Sequence, residues 1–368
     1  METIRSWVKW VPTSETLLEN AERKMFETFR SMTRDFFVNI SNENCIRTIE
    51  AEPEEENSEK LPLVLLHGFG SGVGLWGLNL DSFAEKRKVY AIDMLGFGRS
   101  SRPQFPEGAE AEAMFIQSIE DWRKEMGLEK FILLGHSFGG YLSAAYAMSH
   151  PSHVHHLILA DPWGMPEKTA RTEPLPLWVR GVASVLSYFN PLAAIRGAGP
   201  SGPALLRRIR PDLDRKFNKH LDTDDTRVTD YIYHLNAQQP SGETAFMSMT
   251  VPYGWAKYPI VPRVNYIPPQ MPISIIFGSR SWMDVDSGYS LKHLRPKSYV
   301  EVSVIKGAGH HVYADRPSEF NAEVNRICRL VDEAEDQLPN TTIESCDLDS
   351  NVEPTSSEEK LNNFLNPS

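Results

Sequence analysis

Residues 131–148 read FILLGHSFGGYLSAAYAM. Phe131–Leu134 is an apolar run of strand length. Gly135-His136-Ser137-Phe138-Gly139 follows it, and Tyr141–Met148 reads as an Ala-rich helix. A bare GxSxG pattern says little. Between a strand and a helix it reads as a nucleophile elbow. There the serine sits on a strained turn and projects its hydroxyl outward. Gly135 and Gly139 flank it because side chains would collide across the turn. The helix N-terminus behind it offers N–H groups to a developing oxyanion.

Outward from this stretch, strands and helices alternate. Leu63–Leu66 runs into the loop His67-Gly68-Phe69-Gly70-Ser71-Gly72, and Val89–Ile92 ends at Asp93. His156–Ala160 ends in Asp161-Pro162-Trp163-Gly164. Ile273–Phe277 and Tyr299–Ile305 complete the strands, and a helix follows from about Ser318 to Leu330. Apolar strands alternating with helices predict an α/β fold with a mostly parallel sheet covered on both faces. Leu17, Ala21, Met25, Met32 and Phe36 recur at helical spacing, so residues 14–37 are expected to form one amphipathic helix. Residues 50–61, EAEPEEENSEKL, read as an acidic surface turn.

Residues 165–268, rich in proline, aromatic and basic residues, break the alternation and read as a cap inserted over the sheet ends. The core then spans 13–164 and 269–334, and 335–368 reads as a disordered acidic tail.

A serine nucleophile needs a base, and the base needs an orienting acid. With an elbow of this kind, the chain order is serine, acid, histidine. His310 follows the last strand and its glycine turn, which makes it the expected base, with His311 the alternative. Asp284, in the loop after Ile273–Phe277, is the expected acid. Asp286 stands two residues on, and Asp161 offers a second geometry from the preceding strand. The Phe69 and Phe138 N–H groups are the expected oxyanion donors, with Gly68 the alternative to Phe69. Asp93 reads as structural, holding the turn Gly96-Phe97-Gly98-Arg99-Ser100. This chemistry calls for no metal or organic cofactor.

The 368 residues carry a net charge of −11, which argues against a general nucleic-acid binder. Most of that charge sits at one end. From Asp332 to Ser368 ten acidic residues accompany one base, Lys360, so the other 331 residues carry only −2. Between Arg196 and Lys219, seven basic residues meet two acidic ones, a composition that fits anionic headgroups. Cys45, Cys328 and Cys346 are too few and too scattered for a disulfide framework or a metal site, which fits a reducing compartment. The N-terminus lacks the apolar run of a secretory signal, and no stretch has the length of a membrane span.

HGFGSGVGLW at 67–76, DMLGFGRSSRP at 93–103, LGHSFGG at 134–140, LADPWG at 159–164, YIYHLNAQQPSGETAF at 231–246 and HHVYAD at 310–315 resemble one lipid-acting subfamily of the α/β hydrolases. That subfamily contains a lysophospholipase of N-acyl-phosphatidylethanolamine and a lipid-droplet co-activator of adipose triglyceride lipase. The resemblance covers about residues 5–333. It implies an acyl hydrolase acting on (N-acyl) phospholipids or lysophospholipids, with acyl transfer to lysophosphatidic acid as a further activity. It also implies a peripheral cytoplasmic location on droplets or intracellular membranes.

The co-activator branch has lost the nucleophilic serine, whereas Ser137 is present here. Arg280 and Gly309 nonetheless match that branch. The resemblance therefore also implies a rival reading, an adaptor for a triglyceride lipase. The tryptophan-rich start of the family points to Trp7 and Trp10, within residues 1–12, as an interfacial anchor. His310 and Asp315 form an HxxxxD pattern like that of glycerolipid acyltransferases. The plainer reading of Asp315 is an N-cap ahead of Pro317.

Overall fold

The computed structural model describes residues 11–27, 29–53, 60–167, 191–221, 224–252 and 254–336. Its centre is an eight-stranded sheet in the order β1-β2-β4-β3-β5-β6-β9-β10. The strands are β1 (Met32–Ile40), β2 (Asn44–Ala51), β3 (Leu63–Leu66), β4 (Val89–Ile92), β5 (Phe131–His136), β6 (Val154–Ala160), β9 (Ile273–Gly278) and β10 (Val300–Ile305). The short strands β7 (Thr250–Val251) and β8 (Trp255–Ala256) form a separate ribbon. Strands β4, β3, β5, β6, β9 and β10 are mutually parallel, while β1 and β2 form an antiparallel edge.

Strands β3 and β4 are apolar at every position, and β5, β6 and β9 nearly so, because both faces are covered. Leu63, Leu65, Ile132 and Leu134 point to the layer of helix α1 (Glu15–Phe26), helix α2 (Leu80–Ala84) and the C-terminal helix Pro317–Asp336. Val64, Leu66, Phe131 and Leu133 point the other way. They meet helix α3 (Ala109–Glu125), helix α4 (Phe138–Ser149) and the helix Asp286–Leu294.

The single helix expected over residues 14–37 is instead a helix and a strand. Ser14 Oγ accepts from Leu17 N at 3.2 Å and starts α1, which ends at Phe26. Met32 and Phe36 lie in β1. Helical spacing continued by chance into a segment that alternates in strand fashion. The hairpin partner β2 supplies the long-range pairing, such as Val38 opposite Ile46. Asn42 and Glu43 turn the hairpin with φ of 59° and 58°. The start of the expected acidic turn, Glu50 and Ala51, belongs to β2, and residues 54–59 lie outside the described residues.

Helix α1 is tied to the sheet by buried charge. Arg47 is 0 % exposed, and its Nη2 donates to Glu22 Oε2 at 3.0 Å. Arg99 Nη1 donates to the same oxygen at 2.9 Å, and Asp35 pairs with Arg47 Nη1 at 2.5 Å. Glu22→Ala removes the buried carboxylate that Arg47 and Arg99 share, leaving them Asp35 and, at 3.4 Å, the exposed Glu19. It is expected to cost about 3 kcal/mol, because weakening a buried charge pair is more expensive than deleting a surface pair. Urea unfolding checks this. A midpoint equal to wild type would show that Asp35 and Glu19 suffice.

Between β6 and β9 the chain leaves the sheet. The described part holds the helices Pro191–Gly197, Gly202–Ile209, Asp212–Leu221, Arg227–Asn236 and Gly242–Ser248, then the β7–β8 ribbon. Four of the seven basic side chains between Arg196 and Lys219 pair with carboxylates. Arg196 pairs with Glu243, Arg207 with Asp230, Arg210 with Asp212, and Lys216 with Asp212 and Asp315. Among the described residues, no helix is long and apolar enough to cross a membrane.

Candidate active site

The site forms where β5, β6, β9 and β10 end. Ser137 lies between β5 and α4 with φ 54° and ψ −116°, a left-handed conformation that non-glycine residues rarely adopt. Its neighbours have no room for side chains. A Cβ on Gly135 would stand 2.2 Å from Gly139 O, and one on Gly139 would stand 2.4 Å from Leu66 O. The turn is pinned by Ser137 N donating to Ala160 O at 3.0 Å. Ser137 O accepts from Tyr141 N and Trp163 N, each at 3.1 Å.

His310 stands after β10. Ser137 Oγ and His310 Nε2 are 3.0 Å apart, and His310 Nδ1 lies 2.6 Å from Asp161 Oδ2. With Nδ1–H donating to the carboxylate, Nε2 is left to accept the serine proton. Asp161 is 0 % exposed. It also accepts from Gly278 N at 3.1 Å and from the Ser281 hydroxyl. No ring nitrogen of His311 reaches Ser137 in this arrangement. Burial holds His311 and His136 well below the usual histidine range, and His136 Nε2 donates to His310 O at 2.8 Å.

The carboxylate that meets His310 is therefore Asp161 and not Asp284. Asp284 is exposed, and its carboxylate accepts from Asp286 N at 3.0 Å while its carbonyl accepts from Ser287. It starts the helix Asp286–Leu294 and makes no contact with His310. The reason is strand order. Strand β6 lies between β5 and β9, so the residue ending β6 falls between Ser137 and the loop after β9. Asp161 turns into place with φ 46°. The loop after β9 contributes Ser281 instead, a residue that sequence reasoning missed because a serine in a loop carries no distinguishing spacing.

The loop after β3 comes against Ser137. A Cβ on Gly68 would stand 3.2 Å from Ser137 Cβ and 2.9 Å from His136 Nδ1. His67 fixes this approach by donating from Nδ1 to Gly68 O at 2.8 Å and accepting at Nε2 from Met94 N at 3.0 Å. Burial lowers its pKa, which suits a neutral ring with one donor and one acceptor. Asp93 serves structure here, accepting from Val73 N and Arg99 N, each at 2.9 Å. Phe138 opens α4, where helix N–H groups lack partners within the helix.

The side chains of Phe69 and Phe138 both meet Phe246 from the inserted region. Ring centroids are 4.3 and 4.8 Å apart, and Trp163 lies 4.8 Å from the same ring. An apolar wall thus stands beside the serine. Trp282 is 72 % exposed with its ring 5.0 Å from that of His310, at the rim of the site. A cavity of about 520 Å³ lined by Glu15, Cys45, Arg99 and Arg102 lies apart, with no triad residue in its walls.

Arg280 and Gly309 lie on facing turns. Arg280 N donates to Ala308 O at 2.8 Å, and the Arg280 side chain is exposed. Gly309 N donates to Asp315 Oδ2 at 2.8 Å. Asp315 closes the short helix Val312–Asp315, so its carboxylate is spent on Gly309 and Lys216 and not on capping the helix that begins at Pro317. Trp7 and Trp10 lie outside the described residues. Among the described residues, no group of three or more His, Cys, Asp or Glu side chains is placed to hold a metal ion.

A family model described as the alpha/beta hydrolase fold matches residues 62–317. The chain is 52% identical over 324 residues to the 1-acylglycerol-3-phosphate O-acyltransferase ABHD5 of Homo sapiens, covering 87% of this chain and 92% of that protein. It is 48% identical over 326 residues to the (lyso)-N-acylphosphatidylethanolamine lipase of Homo sapiens, covering 87% and 94%. Among solved structures, the carboxylesterase CesB of Bacillus subtilis aligns with a TM-score of 0.60 at 17% identity, covering 84% of this chain and 95% of that one. A bacterial membrane phospholipase A aligns with a TM-score of 0.60 at 22% identity, covering 86% and 92%.

Proposed function

Because the chain belongs to the α/β-hydrolase family, we propose that it is a serine acyl hydrolase acting on (N-acyl) phospholipids or lysophospholipids. The observation that carries this reading is the connected chain Ser137–His310–Asp161, at 3.0 and 2.6 Å. His310 Nε2 takes the serine proton as Oγ attacks the acyl carbonyl. Asp161 stabilises the imidazolium and keeps it oriented. The Phe69 and Phe138 N–H groups stabilise the oxyanion. His310 then returns the proton to the departing oxygen or nitrogen, leaving an acyl-serine. Water resolves the acyl-serine in hydrolysis. The hydroxyl of lysophosphatidic acid resolves it in acyl transfer, the activity for which the human acyltransferase relative is named. The lipase relative is named for (lyso)-N-acylphosphatidylethanolamine, which supports that substrate class. The test is fatty-acid release from N-acyl-phosphatidylethanolamine by pure wild type and by Ser137→Ala.

The protein works peripherally, on lipid droplets or the cytoplasmic side of intracellular membranes, with Trp7 and Trp10 as its anchor in residues 1–12. Arg280, exposed beside the His310 turn, favours a second role as co-activator of a triglyceride lipase. One droplet experiment addresses both. Deleting residues 1–12 is expected to release protein from floated droplets, whereas Arg280→Ala stays bound, loses lipase stimulation and keeps phospholipid turnover. Unchanged flotation of the deletion rejects the anchor, and unchanged stimulation by Arg280→Ala rejects the co-activation surface.

A further inference from the structure

Asp315 stands four residues beyond His311, and its carboxylate is fully engaged away from the His310 ring. Oδ2 accepts from Gly309 N at 2.8 Å, on the residue directly before His310. Oδ1 pairs with Lys216 Nζ at 3.1 Å, and the Asp315 carbonyl accepts from Lys219 Nζ at 3.2 Å. Both lysines belong to the helix Asp212–Leu221 of the inserted region. Both ring nitrogens of His310 are committed elsewhere, to Ser137 and Asp161. The HxxxxD pair thus makes no acid–base contact.

We propose that Asp315 is a positioning residue that latches the inserted helix Asp212–Leu221 to the turn carrying His310, so that seating of this helix sets the histidine. The proposal rests on the serine-hydrolase reading above. One carboxylate holds the backbone next to His310 with one oxygen and the inserted region with the other. The Asp315 and Lys216 side chains are 14 % and 19 % exposed, so solvent and salt screen the pair less than they screen an open surface pair. The carboxylate packs directly on the turn, where a Cβ on Gly309 would stand 3.1 Å from Asp315 Oδ2. The helix itself is seated by burial of Leu213 and Phe217, beside Lys216, so it shifts as a body. A shift of the helix therefore reaches His310 through two bonds. Displacement of a catalytic group by about 1 Å costs roughly a hundredfold in rate.

The test compares Asp315→Asn, Lys216→Met, Lys216→Arg and the double variant Asp315→Asn/Lys216→Met. Each is assayed for hydrolysis of a soluble short-chain ester and for acyl transfer to lysophosphatidic acid. Each single neutral variant is expected to lose roughly tenfold in kcat in both assays, with KM nearly unchanged, since the loosened turn costs part of the misplacement penalty. The double variant is expected to be no worse than the poorer single, and Lys216→Arg to keep most of the turnover. Wild-type kcat for ester hydrolysis in Lys216→Met overturns the latch. That variant alters only the inserted helix, so it decides the matter even where Asp315→Asn does not fold. Loss of acyl transfer alone in Asp315→Asn also overturns it, in favour of an acid–base role. Activity surviving in Ser137→Ala would instead indict the serine-hydrolase reading and not the latch.

Discussion

Ser137→Ala is expected to fold normally and to lose lipid hydrolysis by about 10⁴-fold or more, the scale seen when a triad nucleophile is removed. The loss is chemical. Among the described residues Ser137 Oγ has one hydrogen-bond partner, His310 Nε2 at 3.0 Å, so its removal breaks no structural hydrogen bond there. The turn is held by main-chain groups that alanine retains, Ser137 N to Ala160 O and Ser137 O from Tyr141 N and Trp163 N. The strained φ of 54° is paid for by that frame and by the two flanking glycines, not by the hydroxyl. A thermal midpoint close to wild type with no fatty-acid release from N-acyl-phosphatidylethanolamine is the expected pair of measurements. Wild-type turnover in Ser137→Ala would end the serine-hydrolase reading. A lipase-stimulating activity that survives in the same variant would separate a co-activator role from catalysis in one protein.

Local features were legible and long-range ones were not. The strand Phe131–His136, the elbow and α4 declare themselves within nineteen residues, since glycine spacing, apolar run and helix pattern are all local. His310 was readable from its place after the last strand. The β1–β2 hairpin was not, because Met32 and Phe36 extend a helical spacing that only pairing with β2 overrides. The carboxylate that faces His310 was not legible for a similar reason. Asp161 and Asp284 both follow strands, and chain order permits either. What separates them is that β6 lies inside the sheet between β5 and β9, a fact of strand order. The basic stretch Arg196–Lys219 likewise looked like a free cationic surface. Its partners Glu243, Asp230 and Asp315 come from elsewhere in the chain, so most of its charge is spent internally.

Asp161→Asn and Asp284→Asn should then behave as opposites. The Asp161 carboxylate accepts from His310 Nδ1, from Gly278 N at 3.1 Å and from the Ser281 hydroxyl. An amide at that place has one acceptor oxygen where the carboxylate had two. Gly278 N–H cannot rotate away, so the amide oxygen is held there and the NH₂ group turns towards His310. The imidazole then accepts at Nδ1 and carries its proton on Nε2, facing Ser137 with a donor where an acceptor is needed. The corresponding change in a triad costs about 10⁴-fold in kcat through this wrong tautomer, and that is the expected loss for Asp161→Asn. Asp284→Asn keeps an oxygen for Asp286 N, sits in solvent and touches no triad atom, so its kcat is expected within about twofold of wild type, as for surface substitutions distant from the chemistry. Steady-state kinetics on one soluble ester, run on both variants, decides between the two carboxylates. The reverse outcome, a silent Asp161→Asn and an inactive Asp284→Asn, would mean that the loop after β9 rearranges to deliver Asp284 to His310 during catalysis.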